Sequence, residues 1–224
     1  MSTLHELIAV VTGTLYLILW NFYDSFGVEF FVCIKSSPAI VLSHGVEDII
    51  LRMGLFLCAC GDAFLEVDDS QGSDTLYFYM GLLSFLSAHL LFAHYFNSFH
   101  ADKSTVKIDT WFKVFVGALL SAVLYPCVST VLRFQGDTVL AVLICIYGAV
   151  IASMALASFK AFKAFPKNCT TALAGSLIFV LSDSVLALDK FWRDIKFSKY
   201  IILGTYYLAL LLISRCNRPS IKSE

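Results

Sequence analysis

Residues 138–163 read TVLAVLICIYGAVIASMALASFKAFK, and the first charged side chain in this stretch is Lys160. A helix needs about 20 mainly apolar residues to span a lipid bilayer, because its backbone amides find no water there and must bond to one another. This stretch reaches that length with few polar groups. It therefore predicts a transmembrane helix.

Seven further stretches have the same character, and short polar segments join them. We expect an all-α polytopic membrane protein, a single bundle of about eight transmembrane helices that forms one integral-membrane domain over residues 1–224. The predicted helices cover residues 6–23, 27–44, 48–66, 76–99, 110–132, 138–163, 169–188 and 197–215, and a short tail follows at 216–224.

The composition of the whole chain agrees with this interpretation. Apolar residues make up 58% of the 224 residues, charged residues make up 15%, and the mean hydropathy is +0.79. Because 16 Lys and Arg nearly balance 17 Asp and Glu, the chain lacks the basic excess that nucleic-acid binding requires. The seven cysteines are an odd number and lie mostly in apolar stretches, so we expect buried thiols rather than a disulfide framework.

The positions of the basic residues predict the orientation in the membrane. Lys and Arg accumulate in short cytoplasmic loops, and with eight spans both termini lie on one side. That side carries ten of the 16 basic residues, the other side carries five, and Lys35 lies within a span. We therefore expect both termini in the cytoplasm, a first helix that is retained rather than cleaved, and a non-cytoplasmic acidic loop at 66–74.

Four ionisable residues lie within the predicted spans: Lys35, Asp62, His89 and Asp183. A charge near the bilayer centre costs at least about 2.5–3.5 kcal/mol on insertion scales, so such residues usually face a cavity and serve a function. At about 1.5 Å per residue, both aspartates lie about 21 Å along helices that run in the same direction. Lys35 and Tyr206 come out at a similar depth, so these four side chains are expected to line one cavity, with His89 further away.

Structural roles are the alternative for these residues. An intramembrane aspartate can hydrogen-bond a neighbouring helix, and Lys35 can neutralise one of the aspartates. Three other histidines, His44, His94 and His100, lie near predicted helix ends, and we assign them no functional role.

Five short motifs follow one another along these helices. They are Lys35-x-x-Pro38; Gly61-Asp62-Ala63-Phe64-Leu65; Ala88-His89-Leu90-Leu91-Phe92; Gly175 followed by Phe179-Val180-Leu181-Ser182-Asp183-Ser184-x-Leu186-Ala187; and Thr205-Tyr206-Tyr207-Leu208-Ala209. In this order the motifs resemble the lysoplasmalogenase family, also called the YhhN or transmembrane protein 86 family. The resemblance extends over essentially the whole chain, and the visible departure is Leu210, where the family pattern has Gln.

The resemblance implies a membrane enzyme that hydrolyses the vinyl ether bond of lysoplasmalogens, which are 1-alkenyl-glycerophosphoethanolamine or 1-alkenyl-glycerophosphocholine. The products are a fatty aldehyde and glycerophosphoethanolamine or glycerophosphocholine. The implied partners are the lysophospholipid substrate and membrane lipids, no cofactor or metal is expected, and the expected location is the endoplasmic reticulum.

This chemistry needs an acid that protonates the alkene carbon and a base that assists the attacking water. Two aspartates that share one proton can fill both roles, so we expect Asp62 and Asp183 to be catalytic, with the assignment of acid and base left open. Lys35 is expected to bind the substrate phosphate or to tune the aspartate pair. The supporting residues are expected to be His89, Ser182, Tyr206 and Tyr207.

Two other classes of function stay open at this point. A metal-dependent intramembrane hydrolase of the ceramidase type would use His89, His94 and the aspartates as ligands, although two histidines five residues apart point away from each other around a helix. A transporter or receptor would use the charged residues to bind an ion or a proton, although the two halves of the chain show no convincing self-similarity. An intramembrane aspartyl protease is disfavoured because no Tyr-Asp dipeptide lies inside an apolar span.

Overall fold

The computed structural model describes residues 3–71, 75–99 and 107–216, and within these ranges it contains eight α-helices and no strand. The predicted all-α class and the eight predicted helices are therefore confirmed. A 3-10 turn follows the first helix at Trp20–Ser25, and a π-helical turn follows the fifth at Val131–Gln135. The helices are α1 (Thr3–Leu19), α2 (Val28–Gly45), α3 (Ile49–Gln71), α4 (Thr75–Asn97), α5 (Thr110–Thr130), α6 (Thr138–Ala164), α7 (Pro166–Phe191) and α8 (Ser198–Ser214).

The main correction concerns the end of α3. The sequence predicted that the helix ends at residue 66 and that an acidic loop follows at 66–74, but α3 continues to Gln71, and both Glu66 and Asp68 are buried. The helix does not stop at its first acidic residue because Glu66 has bonding partners inside the protein. The rest of the predicted loop, 72–74, and the predicted tail beyond Cys216 lie outside the described residues.

Five of the helical segments in the described ranges are long and apolar enough to cross a membrane: Thr3–Phe22, Leu76–Asn97, Thr110–Phe134, Thr138–Ala164 and Pro166–Phe191. Helices α2 and α3 are less apolar, because they carry Lys35, Asp62 and Glu66 among other polar residues. Many large apolar side chains point outward, as expected for helices that face lipid, and examples are Val114, Val139 and Leu208. The chain is an integral membrane protein.

The helices group into two compact units, Met1–Phe92 and Ala93–Glu224. In the first unit α2 packs between α1 and α3. In the second unit α7 packs against α5, α6 and α8. The predicted organisation as one domain stays a prediction.

Two glycines bring α3 close to α4 in the first unit. Gly54 and Gly61 are two helical turns apart and so share a face of α3. A Cβ atom on either residue would lie 2.5 Å from a ring atom of α4, of Phe92 and of Phe85 respectively. Small residues permit such close approach between membrane helices, where packing rather than the hydrophobic effect holds helices together. Because Asp62 directly follows Gly61, this contact helps to fix the position of its carboxylate.

Helices α7 and α8 approach each other equally closely in the second unit. A Cβ atom on Gly175 would lie 2.9 Å from the carbonyl oxygen of Ala209 and 3.0 Å from the backbone nitrogen of Ile213. Further along α7, the hydroxyl of Ser182 donates a hydrogen bond to the carbonyl oxygen of Ile202 at 2.9 Å. The two contacts fix how far α7 is shifted along α8.

We expect Gly175→Ala to destabilise the protein, because the added methyl group meets backbone atoms that cannot rotate away. Overpacking of this kind typically costs about 1–3 kcal/mol. Gly117→Ala on α5 is the control, since nothing lies within 4 Å of a Cβ atom there. Thermal unfolding of the detergent-solubilised variants should show a lower Tm for Gly175→Ala alone, and equal Tm values would contradict the close α7–α8 contact.

Candidate active site

The predicted site residues fall into two groups. Lys35, Asp62 and His89 lie on α2, α3 and α4 of the first unit. Ser182 and Asp183 on α7, with Tyr206 and Tyr207 on α8, lie in the second unit. The expected pairing of Asp62 with Asp183 thus concerns residues of different units and stays a prediction.

Lys35 forms a buried ion pair with Glu66. Its ammonium nitrogen lies 2.9 Å from Oε2 of Glu66, and the hydroxyl of Tyr16 donates a hydrogen bond to the same oxygen at 2.8 Å. The three residues are 5%, 0% and 0% exposed. An isolated charge at such a place would cost several kcal/mol, so the pair makes the burial of both charges tolerable. One carboxylate thus connects α1, α2 and α3.

Glu66 and Tyr16 were not predicted as site residues. Glu66 was assigned to a loop because it lies at the first acidic position after an apolar run, and Tyr16 lies in an apolar stretch without a motif. The spacing held one signal, since Glu66 follows Asp62 by four residues and so shares its helix face. The ring of Tyr16 stacks on Trp20 at 5.9 Å and meets Phe31 edge-on at 5.9 Å, and this packing aims its hydroxyl at Glu66.

Asp62 is buried, as predicted, with 2% of its surface exposed. It lies nine residues before the end of α3, or about 14 Å along the helix axis. That distance is well inside a hydrocarbon core about 30 Å thick. Asp62 and Glu66 are therefore neighbouring buried carboxyl groups on one helix face.

His89 is fully buried on α4, and its Nδ1 atom lies 2.6 Å from the carbonyl oxygen of Phe85. Because a carbonyl oxygen only accepts hydrogen bonds, Nδ1 carries the proton in this contact. The ring also meets Phe92 edge-on at 6.4 Å. One face of the imidazole is thus held by its own helix, and Nε2 is the nitrogen left for chemistry.

Asp183 accepts a hydrogen bond from the hydroxyl of Tyr147 on α6, with 2.5 Å between the two oxygens. This distance lies in the range of about 2.5–2.7 Å that is typical of a hydroxyl bound to an ionised carboxylate. Both side chains are half-buried. Tyr147 was not predicted, although a tyrosine in the middle of an apolar span usually has a bonding partner for its hydroxyl.

The other predicted residues of the second unit support α7 and α8. The hydroxyl of Ser182 is engaged with the Ile202 carbonyl, so the structure gives it a role in packing. Tyr206 is buried, and its ring meets Phe179 edge-on at 5.5 Å. Because Phe179 lies one turn before Asp183, Tyr206 contacts α7 close to that carboxylate. Tyr207 is half-buried, with its ring 5.3 Å from that of Tyr206.

The remaining candidate ligands do not gather. Within the described ranges, no group of three or more His, Cys, Asp or Glu side chains is placed to hold a metal ion. His44 and His94 are exposed, and His100 lies outside the described residues. All seven cysteines are free thiols, of which Cys58, Cys127, Cys169 and Cys216 are buried, whereas Cys33 and Cys145 are exposed.

Together, the fold and these residues define a polytopic helical membrane protein with ionisable side chains buried inside its helices. The sequence profile of the YhhN family matches residues 30–217. The chain belongs to the YhhN family, which confirms the resemblance seen in its motifs.

Named relatives agree with this membership. Lysoplasmalogenase TMEM86A of Homo sapiens is 30% identical over 200 residues, which cover 88% of this chain and 72% of the human protein. Lysoplasmalogenase TMEM86A of Bos taurus is 29% identical over 200 residues, with the same coverage. No solved structure matches the chain.

We expect Glu66→Ala to destabilise the protein strongly, because it removes the counter-charge of a buried ammonium group. Breaking a buried ion pair in this way typically costs about 3–5 kcal/mol. The double variant Lys35→Met/Glu66→Met should recover most of the loss, since it removes both charges, and Glu29→Ala at an exposed position of α2 is the control. Thermal unfolding in detergent measures all three, and a double variant less stable than Glu66→Ala would contradict the ion pair.

Proposed function

We propose that the protein is a lysoplasmalogenase, a membrane hydrolase that cleaves the vinyl ether bond of lysoplasmalogens. The products are a fatty aldehyde and glycerophosphoethanolamine or glycerophosphocholine. Relatives at 29–30% identity carry this name. The observation that most directly supports the chemistry is that Asp62 and Asp183, both in family-like motifs, lie well inside their helices, where one is buried and the other is bonded to a tyrosine.

The reaction begins when a carboxylic acid delivers a proton to the alkene carbon that is remote from the ether oxygen. The adjacent carbon becomes an oxocarbenium ion, and water attacks it while a carboxylate accepts the proton of the water. The resulting hemiacetal breaks its carbon–oxygen bond to the glycerol, whose oxygen takes a proton. One water molecule is consumed, and one aldehyde and one alcohol are formed.

In this scheme Asp62 and Asp183 are the acid and the base, in an order that the proposal leaves open. Tyr147 holds the carboxylate of Asp183 in position through its hydrogen bond. A carboxylate so placed also stabilises the positive charge of the oxocarbenium ion, because opposite charges attract strongly where water is excluded. His89, Ser182, Tyr206 and Tyr207 support this arrangement.

Of the two roles expected for Lys35, we propose the electrostatic one. Its ammonium group is bonded to Glu66 in a fully buried pair, one turn of α3 away from Asp62. An ammonium group engaged in this way balances negative charge close to Asp62. It is poorly suited to receive a phosphate that arrives from the membrane surface.

We expect Asp62→Asn and Asp183→Asn each to abolish aldehyde release from lysoplasmalogen while the protein stays folded. An amide has nearly the shape of the acid but supplies no proton and carries no charge, and acid–base catalysis is typically worth 10²–10⁴-fold. The measurement is aldehyde formation by purified protein in detergent. If either variant retains more than about a tenth of the wild-type turnover, the paired-carboxylate mechanism is wrong.

Asp69→Asn is the matched control for this experiment, because Asp69 is an exposed acidic residue on the same helix as Asp62. It should retain wild-type activity. The same assay separates the alternatives: loss of activity on chelation and recovery with zinc would favour the ceramidase-like mechanism. Ion or lipid movement without aldehyde formation would favour a transporter.

We further propose that the protein resides in the endoplasmic reticulum with both termini in the cytoplasm. The excess of basic residues on the side of the termini supports this orientation. The structure shows that α6 and α7 are joined through Phe165 alone, and that Asn168 of the Asn168-Cys169-Thr170 glycosylation sequon lies in the first turn of α7. In this orientation the sequon faces the cytoplasm.

We expect the natural sequon to stay unglycosylated in microsomes. A longer acceptor loop inserted between α3 and α4, after residue 73, should be glycosylated, whereas the same loop inserted after Phe165 should not. The mass shift of each product on a gel reads the result. Modification of the second loop and not of the first would show that the orientation is inverted.

A further inference from the structure

A lysophospholipid carries a phosphate close to its reacting bond, and the site needs cations for it. Several basic side chains already have partners. Lys35 is paired with Glu66, Lys163 is paired with Asp109, and Arg52 donates to the carbonyl oxygen of Val46. The search for a phosphate site therefore turns to the connection between α7 and α8, near Asp183.

Lys190 lies on the same face of α7 as Asp183. The two residues are seven apart, which is two helical turns less about 20°, and the rise between them is about 10 Å. Both belong to one continuous helix, because α7 runs to Phe191, three residues further than the sequence predicted. The side chain of Lys190 is exposed at this end of the helix.

Lys199 lies on the other side of the connection, in the first turn of α8. A cation at the start of a helix is opposed by the helix dipole, and this one is also half-buried. The hydrogen bond from Ser182 to Ile202 sets its level relative to α7. Counted from that bond, Lys199 lies about 3 Å beyond Asp183 toward the connection, at about 1.5 Å per residue.

The two lysines bracket the level at which the substrate phosphate falls. Five bonds separate the ether oxygen of a lysoplasmalogen from its phosphorus, and an extended chain advances about 1.2 Å per bond, so the span is about 6 Å. With the vinyl ether at Asp183, the phosphorus lies between the levels of Lys199 and Lys190. A lysine side chain itself reaches about 6 Å from its Cα atom, so both ammonium groups have the length to meet the phosphate.

We propose that Lys190 and Lys199 bind the phosphate of the lysophospholipid substrate and thereby set the vinyl ether at the level of Asp183. This assignment rests on the proposed function, because it takes a lysophospholipid as the ligand. The other two basic residues of the connection are engaged elsewhere: Arg193 lies over the ring of Trp192 at 4.6 Å, and Lys196 lies over the ring of Phe197 at 5.1 Å.

The test compares two substrates in phosphate-free buffer and a sugar-based detergent, so that the only phosphate is that of the substrate. With 1-alkenyl-glycerophosphoethanolamine, Lys190→Met and Lys199→Met should each raise KM about tenfold and leave kcat within about twofold, because a hydrogen bond to a charged group contributes about that much to binding. With 1-alkenylglycerol, which lacks the phosphate, the variants should match the wild type. Lys167→Met, an exposed lysine at the opposite end of α7, is the control and should behave as wild type with both substrates.

A binding measurement separates this proposal from the proposed function. The saturated analogue 1-O-alkyl-glycerophosphoethanolamine has no vinyl ether, and its Kd should rise about tenfold in each lysine variant whether or not the protein cleaves lysoplasmalogen. If the wild type binds the analogue through these lysines but releases no aldehyde, the proposed function fails and the phosphate site stands. Unchanged KM and Kd in both variants, or equal losses with both substrates, would overturn the phosphate site.

Discussion

A charge inside a membrane protein needs a partner there, and the first unit depends on one such pairing. The ammonium group of Lys35 from α2 and the hydroxyl of Tyr16 from α1 meet on one oxygen of Glu66 from α3. The contact explains how α2 and α3, which are less apolar than several of the other helices, lie in a protein of this kind. Because the pair cancels its own charge, it ties three helices together and leaves no net charge behind.

The second unit uses a different partner for its acidic residue. Asp183 accepts a hydrogen bond from Tyr147, and a neutral hydroxyl holds a carboxylate in place without cancelling its charge. This distinction fits a division of labour between the two carboxyl groups: the charge of Glu66 is balanced by Lys35, whereas that of Asp183 is kept. In the proposed reaction a retained charge is useful, since the carboxylate must accept a proton or face a cation.

The sequence predicted the helices well because each one is decided locally by length and apolarity, and seven of the eight ended within about three residues of their predicted limits. The buried positions of Lys35, Asp62 and His89 were predicted for the same reason. The partners Glu66 and Tyr147 were not, because each contact joins residues 31–50 positions apart and depends on which helix faces which. Local hydropathy contains no such information, and it placed Glu66 in a loop although its burial depends on a lysine two helices' length earlier in the chain.

The single-residue link at Phe165 makes the α6–α7 hairpin a ruler. Tyr147 lies 17 residues before the last residue of α6, and Asp183 lies 17 residues after the first residue of α7, so the two side chains reach the same level on antiparallel helices. Their meeting is therefore set by counting residues along two equal arms. One residue added to either arm turns its side chain by about 100° and moves it by about 1.5 Å, which separates the hydroxyl from the carboxylate. The length of the chain between Tyr147 and Asp183 is as much a part of the site as the two residues themselves.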